Sequence, residues 1–371
     1  MAVIQRLMVD RFRNLEVVDL SLSPGFNIFS GINGSGKTSL LEAIHVLSVG
    51  RSFRTHKVDP LVNHHQKDFL IFADLAASGR VGLLKSRSGK NELKFDGEQQ
   101  RNWQAVAATL PLQVLNTESF QLLEGSGKVR RRFLDWAVFH VEHAYLDDWR
   151  AYRRGISHRN SLLKTVGGHQ LFAQLDAWDI ELAALGQSIH ESRQAIIASF
   201  SEFLSAVVNE LLPGRKIVLE YKAGWDSDLA FATVLKDHRA RDVKYGMTVN
   251  GPHRADFVIK VNGVVATELL SRGQLKLLVC ALKLAMGQFV KRSAADANVA
   301  GRGDYQCTYL IDDLASELDR PNRNRVIELL GESGSQCLFT AVDAKDLDEH
   351  KLISDRSGKF HVEHGKIQSY Q

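Results

Sequence analysis

The sequence predicts a mixed α/β head interrupted by a helical lobe. Three observations carry that expectation: a strand, a glycine loop and a helix in succession near the N-terminus; helical patterning with few breakers between residues 128 and 212; and short apolar strands that return beyond it.

In chain order, VIQRLMV and LEVVDLSL alternate with the period of two expected of half-buried strands, and GFNIFSG reads as a short buried strand ending in glycine. From Lys37 to Ser48, Leu40, Leu41, Ile44 and Leu47 recur at helical spacing on one face. Phe69–Ala76, Val81–Ser86 and Glu92–Phe95 read as short strands joined by glycine turns. Two long helical runs follow, FLDWAVFHVEHAYLDDWRAYRRGISHRNSLLK and Leu171–Leu212. They form a hairpin broken at Gly167-Gly168 and closed by Pro213-Gly214. KIVLEY and DFVIKVNG are strands, QLKLLVCALKLAMGQFV a helix, and the Ala-, Ser- and Gly-rich segment Lys291–Asp304 a mobile surface loop. The expected division is 1–127 for the first part of the head, 128–212 for the helical lobe and 213–371 for the rest of the head.

With 371 residues, 44% apolar and 24% charged, the chain can bury a sizeable core, which excludes disordered and fibrous classes. No run reaches the roughly 18 apolar residues of a membrane span, and MAVIQRLMVDRFRN lacks the apolar stretch of a secretory signal, so a cytoplasmic protein without a membrane partner is expected. Cys280, Cys307 and Cys337 lie far apart in apolar runs without metal-ligand spacing, and read as buried thiols. The net charge of +4 permits a nucleic-acid partner without demanding one. Nine Lys or Arg against four Asp or Glu between Lys128 and Lys164 concentrate the positive charge in the helical lobe.

Gly31-Ile32-Asn33-Gly34-Ser35-Gly36-Lys37-Thr38 fits G-x-x-x-x-G-K-[ST], the phosphate loop whose glycines let successive backbone N–H groups turn toward an anion. It follows a predicted strand and opens a helix, so the helix N-terminus adds its own free N–H groups. ATP is the expected cofactor; the third nucleotide reading, a GTPase, lacks the N-K-x-D base-recognition motif. Lys37 is expected to reach the β and γ phosphates and Thr38 to ligate Mg2+. Further on, Cys307-Thr308-Tyr309-Leu310-Ile311 is an apolar strand that ends in Asp312 and Asp313. Asp312 is expected to hold the Mg2+ shell. Asp313 is the candidate that orients the attacking water, its short side chain consistent with slow hydrolysis.

Leu270-Ser271-Arg272-Gly273-Gln274 is similar to the L-S-G-G-Q signature of ABC-type ATPases, with Arg272 in place of the first glycine, and it opens a helix. One nucleotide does not need two anion-cradling helix ends from one chain. In ABC-type heads the second end belongs to the partner subunit, so Ser271, Gly273 and Gln274 are expected to act in trans in an ATP-dependent homodimer. Ser316-Glu317-Leu318-Asp319 matches the D-loop of that interface, with Asp319 facing the partner.

Taken with Phe12-Arg13-Asn14, Leu41-Glu42-Ala43-Ile44, Gly50-Arg51-Ser52-Phe53-Arg54, Arg131-Arg132-Phe133-Leu134-Asp135 and Gly251-Pro252-His253-Arg254, these motifs give a chain that resembles the RecF family of bacterial recombination and repair proteins over nearly its whole length. The resemblance implies a P-loop ABC-type ATPase head, related to those of structural-maintenance-of-chromosomes proteins, with a short inserted helical arm. It also implies sequence-independent binding to duplex and gapped DNA, dimerisation on ATP, weak DNA-stimulated hydrolysis, and work with RecO and RecR in loading recombinase at gaps and stalled forks.

Leu115-Asn116-Thr117-Glu118-Ser119 departs from the family's Pro-Glu-Asp run, and neither Gln113 nor Gln121 is assigned as the Q-loop glutamine. The switch histidine expected after CLFT is absent. Thr340 and Asp343 stand in that stretch, each more readily a turn residue than a γ-phosphate contact. Arg130, Arg131 and Arg132 precede a helical run, and Arg150, Arg154 and His158 recur every four residues with Arg153 adjacent, a stripe that would neutralise DNA phosphates. The alternative for that stripe is a solvated helix face, and Arg130–Arg132 could instead serve the head. The alternative for the whole chain is an ABC-type transport ATPase subunit, against which stand Arg272, the missing histidine and the basic arm.

Overall fold

The computed structural model describes residues 3–142, 144–165, 169–296, 305–348, 351–354 and 357–370. In chain order it contains β1 (Ile4–Asp10), β2 (Val17–Ser21), β3 (Phe26–Ser30), α1 (Lys37–Val49), β4 (Asp68–Leu75), β5 (Gly79–Ser86), β6 (Asn91–Phe95), β7 (Glu98–Gln99), α2 (Gln104–Thr109) and β8 (Leu112–Leu115). There follow α3 (Gln121–Glu124), α4 (Gly127–Val141), α5 (Tyr145–Thr165), α6 (His169–Leu211), β9 (Ile217–Lys222), α7 (Phe231–Asp237), α8 (Arg239–Tyr245), β10 (Asp256–Val261), β11 (Val264–Val265) and α9 (Ala266–Leu269). The chain closes with α10 (Arg272–Asp296), β12 (Thr308–Ile311), α11 (Leu314–Glu317), α12 (Arg320–Glu332), β13 (Cys337–Ala341), α13 (Lys345–Asp348), α14 (Lys351–Ser354), β14 (Gly358–Glu363) and β15 (Lys366–Tyr370).

Two compact units result, one from Met1–Ser119 with Lys276–Gln371, the other from Phe120–Leu275. The first holds two six-stranded sheets. One is antiparallel, in the order β2-β1-β4-β5-β6-β7, and the alternating burial of β4 and β5 turns one face to the core. The other runs β15-β14-β3-β13-β12-β8; its strands from β14 to β8 are parallel, with β15 antiparallel at the edge. Every residue of β3, β12 and β13 is buried, as continuous apolar strands covered on both faces should be. Between the sheets, Leu40, Ile44 and Leu47 of α1 join Phe29, Leu310 and Leu338 in one apolar cluster. Gln336 is buried yet fully engaged: its amide donates to Ile4 O and Ser23 O (2.9 and 2.8 Å) and its oxygen accepts from Ile4 N (2.9 Å).

The second unit differs from the expected lobe. Strands β9, β10 and β11, assigned from sequence to the returning head, form their own antiparallel sheet and pack on α4 and α6. Their apolar face has partners within the lobe, so the compact boundary falls near residues 119 and 275 rather than 127 and 212. The first long helical run is two helices, since Glu142 takes an extended conformation after Val141. No Gly or Pro marks that break; a buried network does. Tyr145 Oη at the start of α5 donates to Asp135 Oδ1 on α4 (2.5 Å), and Arg193 of α6, fully buried, donates to the same carboxylate oxygen (2.8 Å) and to Pro252 O (2.7 Å). A second buried guanidinium, Arg159 of α5, donates to Asp179 (2.7 Å), Asp242 (2.6 Å) and Thr248 (2.8 Å). Gly167-Gly168 lies outside the described residues.

Helix α10 runs to Asp296, so the expected loop at 291–304 is helical over its first six residues, and 297–304 lie outside the described residues. This helix has an 18-residue window with mean hydropathy 1.3, apolar enough to cross a membrane, but 72% of that window is buried in the protein, as in a core helix. All three cysteines are buried and free.

Arg159 is a consequential buried charge: removing it takes the guanidinium away from Asp242, which is 2% exposed, while Asp179 keeps its pair with Arg239 at 2.6 Å. Arg159→Met is expected to lower unfolding free energy by about 3–5 kcal/mol. Urea denaturation followed by circular dichroism measures this; a loss below about 1 kcal/mol would show the network to be dispensable.

Candidate functional site

Parallel strands present their carboxyl ends on one side of a sheet, which is where open α/β sheets bind ligands. In this sheet the neighbouring strands β3, β13, β12 and β8 end in Ser30, Ala341, Ile311 and Leu115. Four segments distant in sequence therefore emerge side by side: the loop 31–38, Val342, Asp312-Asp313 and Asn116-Thr117. Residues of each segment, Thr117 in the last, line a cavity of about 1110 Å3 whose walls are drawn entirely from the first unit.

The loop is shaped by its glycines. Gly31 has φ +156, and a Cβ there would sit 2.1 Å from Val362 O; Gly36 has φ +121, and a Cβ would sit 2.9 Å from Leu15 Cδ2. Neither position has room for a side chain. Other segments brace the turn: Asn14 Nδ2 donates to Gly34 O (3.1 Å), Ser39 Oγ to Asn14 Oδ1 (2.8 Å) and Gly365 N to Ser35 O (2.8 Å). Ser35 Oγ is buried without a hydrogen-bond partner, while Ile32 and Asn33 face outward. Lys37, only 8% exposed, folds its ammonium back onto Gly31 O (2.6 Å) and Ile32 O (3.0 Å). Burial lowers its pKa, and the nearby Asp313 and Asp312 carboxylates partly oppose that shift.

Thr38 Oγ1 donates to both oxygens of Asp312, at 3.0 and 3.1 Å, so the predicted metal pair meets across 274 positions of sequence. Thr340 Oγ1 donates to Asp312 Oδ1 (2.7 Å) and accepts from Asp313 N (2.9 Å). It is 1% exposed and lies within β13, one residue before its end, rather than in the turn where it was expected. Asp343 is exposed and its carboxylate accepts from Lys345 N (3.0 Å), an ordinary turn cap. Asp313 sits at φ +54, ψ +49, a left-handed conformation uncommon away from glycine and often found at functional sites. A hydroxyl, a carboxylate and the backbone of the glycine loop bring oxygen and amide groups together. That chemistry fits a nucleotide phosphate with Mg2+, held by Thr38 and Asp312. Among the described residues, no cluster of three or more His, Cys, Asp or Glu offers another metal site.

Several lining residues carried no assigned role in the sequence. Glu42 of α1, fully buried, accepts from Arg13 at 2.9 and 2.7 Å and from Ser52, and lies 3.6 Å from Arg54; both arginines face the cavity. The short motifs F-R-N and G-R-S-F-R marked them, without saying that one carboxylate gathers them. Asn63, His64 and Arg87 also line the cavity and had no sequence signal. Thr117 lines it from the divergent stretch and donates to Glu317 (3.3 Å), whereas Gln113 is buried in β8 and Gln121 is exposed on α3.

The remaining candidates lie elsewhere. Ser271 caps α10: its Oγ accepts from Gln274 N (3.4 Å), and Gln274 Oε1 accepts from Ser271 N (3.1 Å), a reciprocal capping box that leaves Ser271 and Gly273 exposed. These residues belong to the second unit and do not line the cavity. Asp319 caps α12, accepting from Asn322 N (3.0 Å). Among the arginines, Arg130 forms a two-pronged pair with Asp256 (2.7 and 2.9 Å) and Arg131 donates to Ala255 O (2.6 Å), so both tie α4 to β10. Arg132, Arg153 and Arg154 are exposed; Arg150 lies 3.5 Å from Asp147, and His158 stacks on Trp178. His253 is held between Tyr152 Oη (2.8 Å) and Thr248 O (3.1 Å), and burial pushes its pKa down to about 4, which makes it a neutral structural group.

Comparison with known proteins shows the family and the fold. The RecF/RecN/SMC N-terminal domain model matches residues 3–367. The chain is 42% identical over 371 residues to the DNA replication and repair protein RecF of Cellvibrio japonicus (strain Ueda107), covering 98% of each chain. It is 39% identical over 365 residues to the protein of that name from Shewanella oneidensis, again with 98% of each covered. A solved structure of the recombination mediator protein RecF with ATP in the RecFOR pathway superposes with TM-score 0.85 at 25% identity, over 100% of this chain and 98% of that one. An Smc head bound to the C-terminal winged-helix domain of ScpA shares the fold, with TM-score 0.60 at 15% identity over 100% and 98% of the two chains.

Gly31→Ala tests the loop itself. A Cβ that meets backbone cannot be accommodated by a side-chain rotation, so the variant is expected to lose pyrophosphate binding by isothermal calorimetry while retaining a cooperative melt. Binding equal to that of the parent chain would show that the loop tolerates the shift.

Proposed function

The chain belongs to the RecF family of DNA replication and repair proteins, with an ABC-type ATPase head, and on that premise we propose that it binds and slowly hydrolyses ATP to close and reopen a homodimer on DNA. The observation that carries this reading is the meeting of Lys37, Thr38, Asp312 and Asp313 at the mouth of one cavity beneath the glycine loop. The amides of residues 31–38 and the Lys37 ammonium bind and orient the phosphates. Thr38 and Asp312 would hold Mg2+, which would supply charge neutralisation to the nucleotide phosphates. Asp313, presented by its left-handed backbone, orients the attacking water and accepts its hydrogen bond. Its carboxylate is one methylene shorter than a glutamate's, which accounts for slow turnover.

Ser271, Gly273 and Gln274 are the groups expected to meet the nucleotide of a second copy, with Asp319 on the same interface. The exposure of Ser271 and Gly273 at a helix start is consistent with that role. Phosphates of duplex or gapped DNA are taken up by Arg150, Arg153 and Arg154 with Arg132, whereas Arg130 and Arg131 are already engaged in the lobe. The cellular setting proposed is cytoplasmic, with RecR and RecO as partners in loading recombinase at gaps and stalled forks.

Hydrolysis is expected to rise with gapped duplex and with protein concentration; a rate indifferent to both would overturn the DNA-clamp reading. In sedimentation with ATP, Lys37→Met is expected to stay monomeric and Asp313→Asn to accumulate as dimer, and dimerisation of the Lys37 variant at the parent level would refute the ATP sandwich. Replacing Arg150, Arg153 and Arg154 with Gln is expected to weaken DNA binding and reduce the slope of log affinity against log salt by roughly 2–3. An unchanged slope would move the DNA site to the head.

A further inference from the structure

Residue Thr340 stands between the two halves of the phosphate site. Strand β13 lies between β3, which leads into the glycine loop, and β12, which ends in the two aspartates. Thr340 is the penultimate residue of β13, paired in register with Phe29 of β3. Its hydroxyl has one hydrogen, and that hydrogen goes to Asp312 Oδ1 at 2.7 Å. A lone pair of the same oxygen takes the Asp313 N–H at 2.9 Å. With the proton committed and the side chain 1% exposed, the group is a poor phosphate contact. It is well placed to fix the peptide that joins the two carboxylates.

Thr38, the other hydroxyl on Asp312, cannot hold that carboxylate throughout. On the reading above it becomes a metal ligand, and its hydrogen bonds at 3.0 and 3.1 Å to the two carboxylate oxygens must then be exchanged. Thr340 has no such second duty. Its hydrogen bond to Oδ1 anchors the carboxylate from β13 and leaves Oδ2 with Thr38 alone of the two hydroxyls, on the side where a metal shell would form. Its acceptance of the Asp313 N–H holds the left-handed turn at φ +54, a conformation that a non-glycine residue adopts only at a cost.

We propose that Thr340 is a positioning residue for ATP hydrolysis: through one hydroxyl it orients Asp312 for the metal shell and holds the Asp313 backbone in the turn that presents its carboxylate. Groups that orient metal ligands commonly contribute 10–100-fold to metal affinity or activity. The inference rests on the ATPase reading of the same site.

The test compares the parent chain with Thr340→Val, nearly isosteric but without the hydroxyl, and Thr340→Ser, which restores it. Two quantities are read: affinity for a fluorescent ATP analogue in EDTA and in Mg2+, and kcat separately from KM. Thr340→Val is expected to bind the analogue in EDTA as the parent does, to lose about 10-fold of the Mg2+-dependent gain, and to lower kcat by about 10–100-fold with little change in KM. Thr340→Ser is expected to recover both within about 3-fold. Val equal to the parent in Mg2+ gain and kcat would overturn the proposal. An equal loss of affinity with and without Mg2+ would also overturn it, since that marks a structural defect. Should Thr340→Val not fold, Thr340→Ala replaces it in the same comparison. A parent chain that binds no nucleotide would overturn the ATPase reading, and this proposal with it.

Discussion

The tight glycine turn that follows the buried strand β3 and opens α1 is the constraint around which the first unit is built. Gly31 N still reaches Ala341 O and Val342 O at the end of β13 (3.3 Å each), and glycines at 31, 34 and 36 let the chain curl from there into a cradle at the start of α1. Much of the first unit is arranged to keep that turn rigid. Asn14 arrives from the β1–β2 connection, Gly365 from the C-terminal hairpin, and Glu42 from the second turn of α1, where it secures Arg13 beside the loop. Three widely separated pieces of chain converge on eight residues because a loose cradle would present its amides to water rather than to phosphate.

The parallel order of the sheet then decides which other groups reach the cradle. Strands β13 and β12 follow β3 in space but lie about 300 residues away in sequence, and their carboxyl ends place Thr340 and Asp312 against Thr38. A single carboxylate thus receives hydroxyls from two different segments, the donor pattern that charge-assisted hydrogen bonds favour. Lys37 gains from the same arrangement. Burial lowers its pKa, and the two neighbouring aspartates partly oppose that shift.

The second unit solves a different problem. It is built around long helices, α6 alone having 43 residues, with a three-stranded sheet beside them, and two guanidiniums are sunk into their packing. Arg159 and Arg193 each gather acidic or carbonyl oxygens from segments far apart in the chain, so their value lies in fixing which segments meet. Two members of the basic cluster near the start of α4 are drawn into this framework as well. The charge that looked like one stripe in sequence divides into a structural part, Arg130 and Arg131, and an exposed part, Arg132, Arg153 and Arg154.

Local chemistry explains what was legible in the sequence alone. A phosphate loop needs its glycines and lysine at fixed spacing, an acid-bearing strand is apolar and then abruptly acidic, and a capped helix begins with Ser-x-x-Gln; each is a rule about neighbours, so Gly31–Thr38, Asp312-Asp313 and Ser271–Gln274 could be read without coordinates. The broad α/β class and the inserted helices followed from periodicity for the same reason. Tertiary structure decided whatever depends on who sits beside whom across the sheet or the lobe. Thr340 became a ligand-orienting group because β13 lies between β3 and β12. Glu42 gathers arginines from two separate motifs, and β9–β11 left the head for the lobe because their apolar face found helices there. Hydrogen bonds between residues 28 or 274 positions apart leave no periodic mark in a chain, and only the fold brings their partners together.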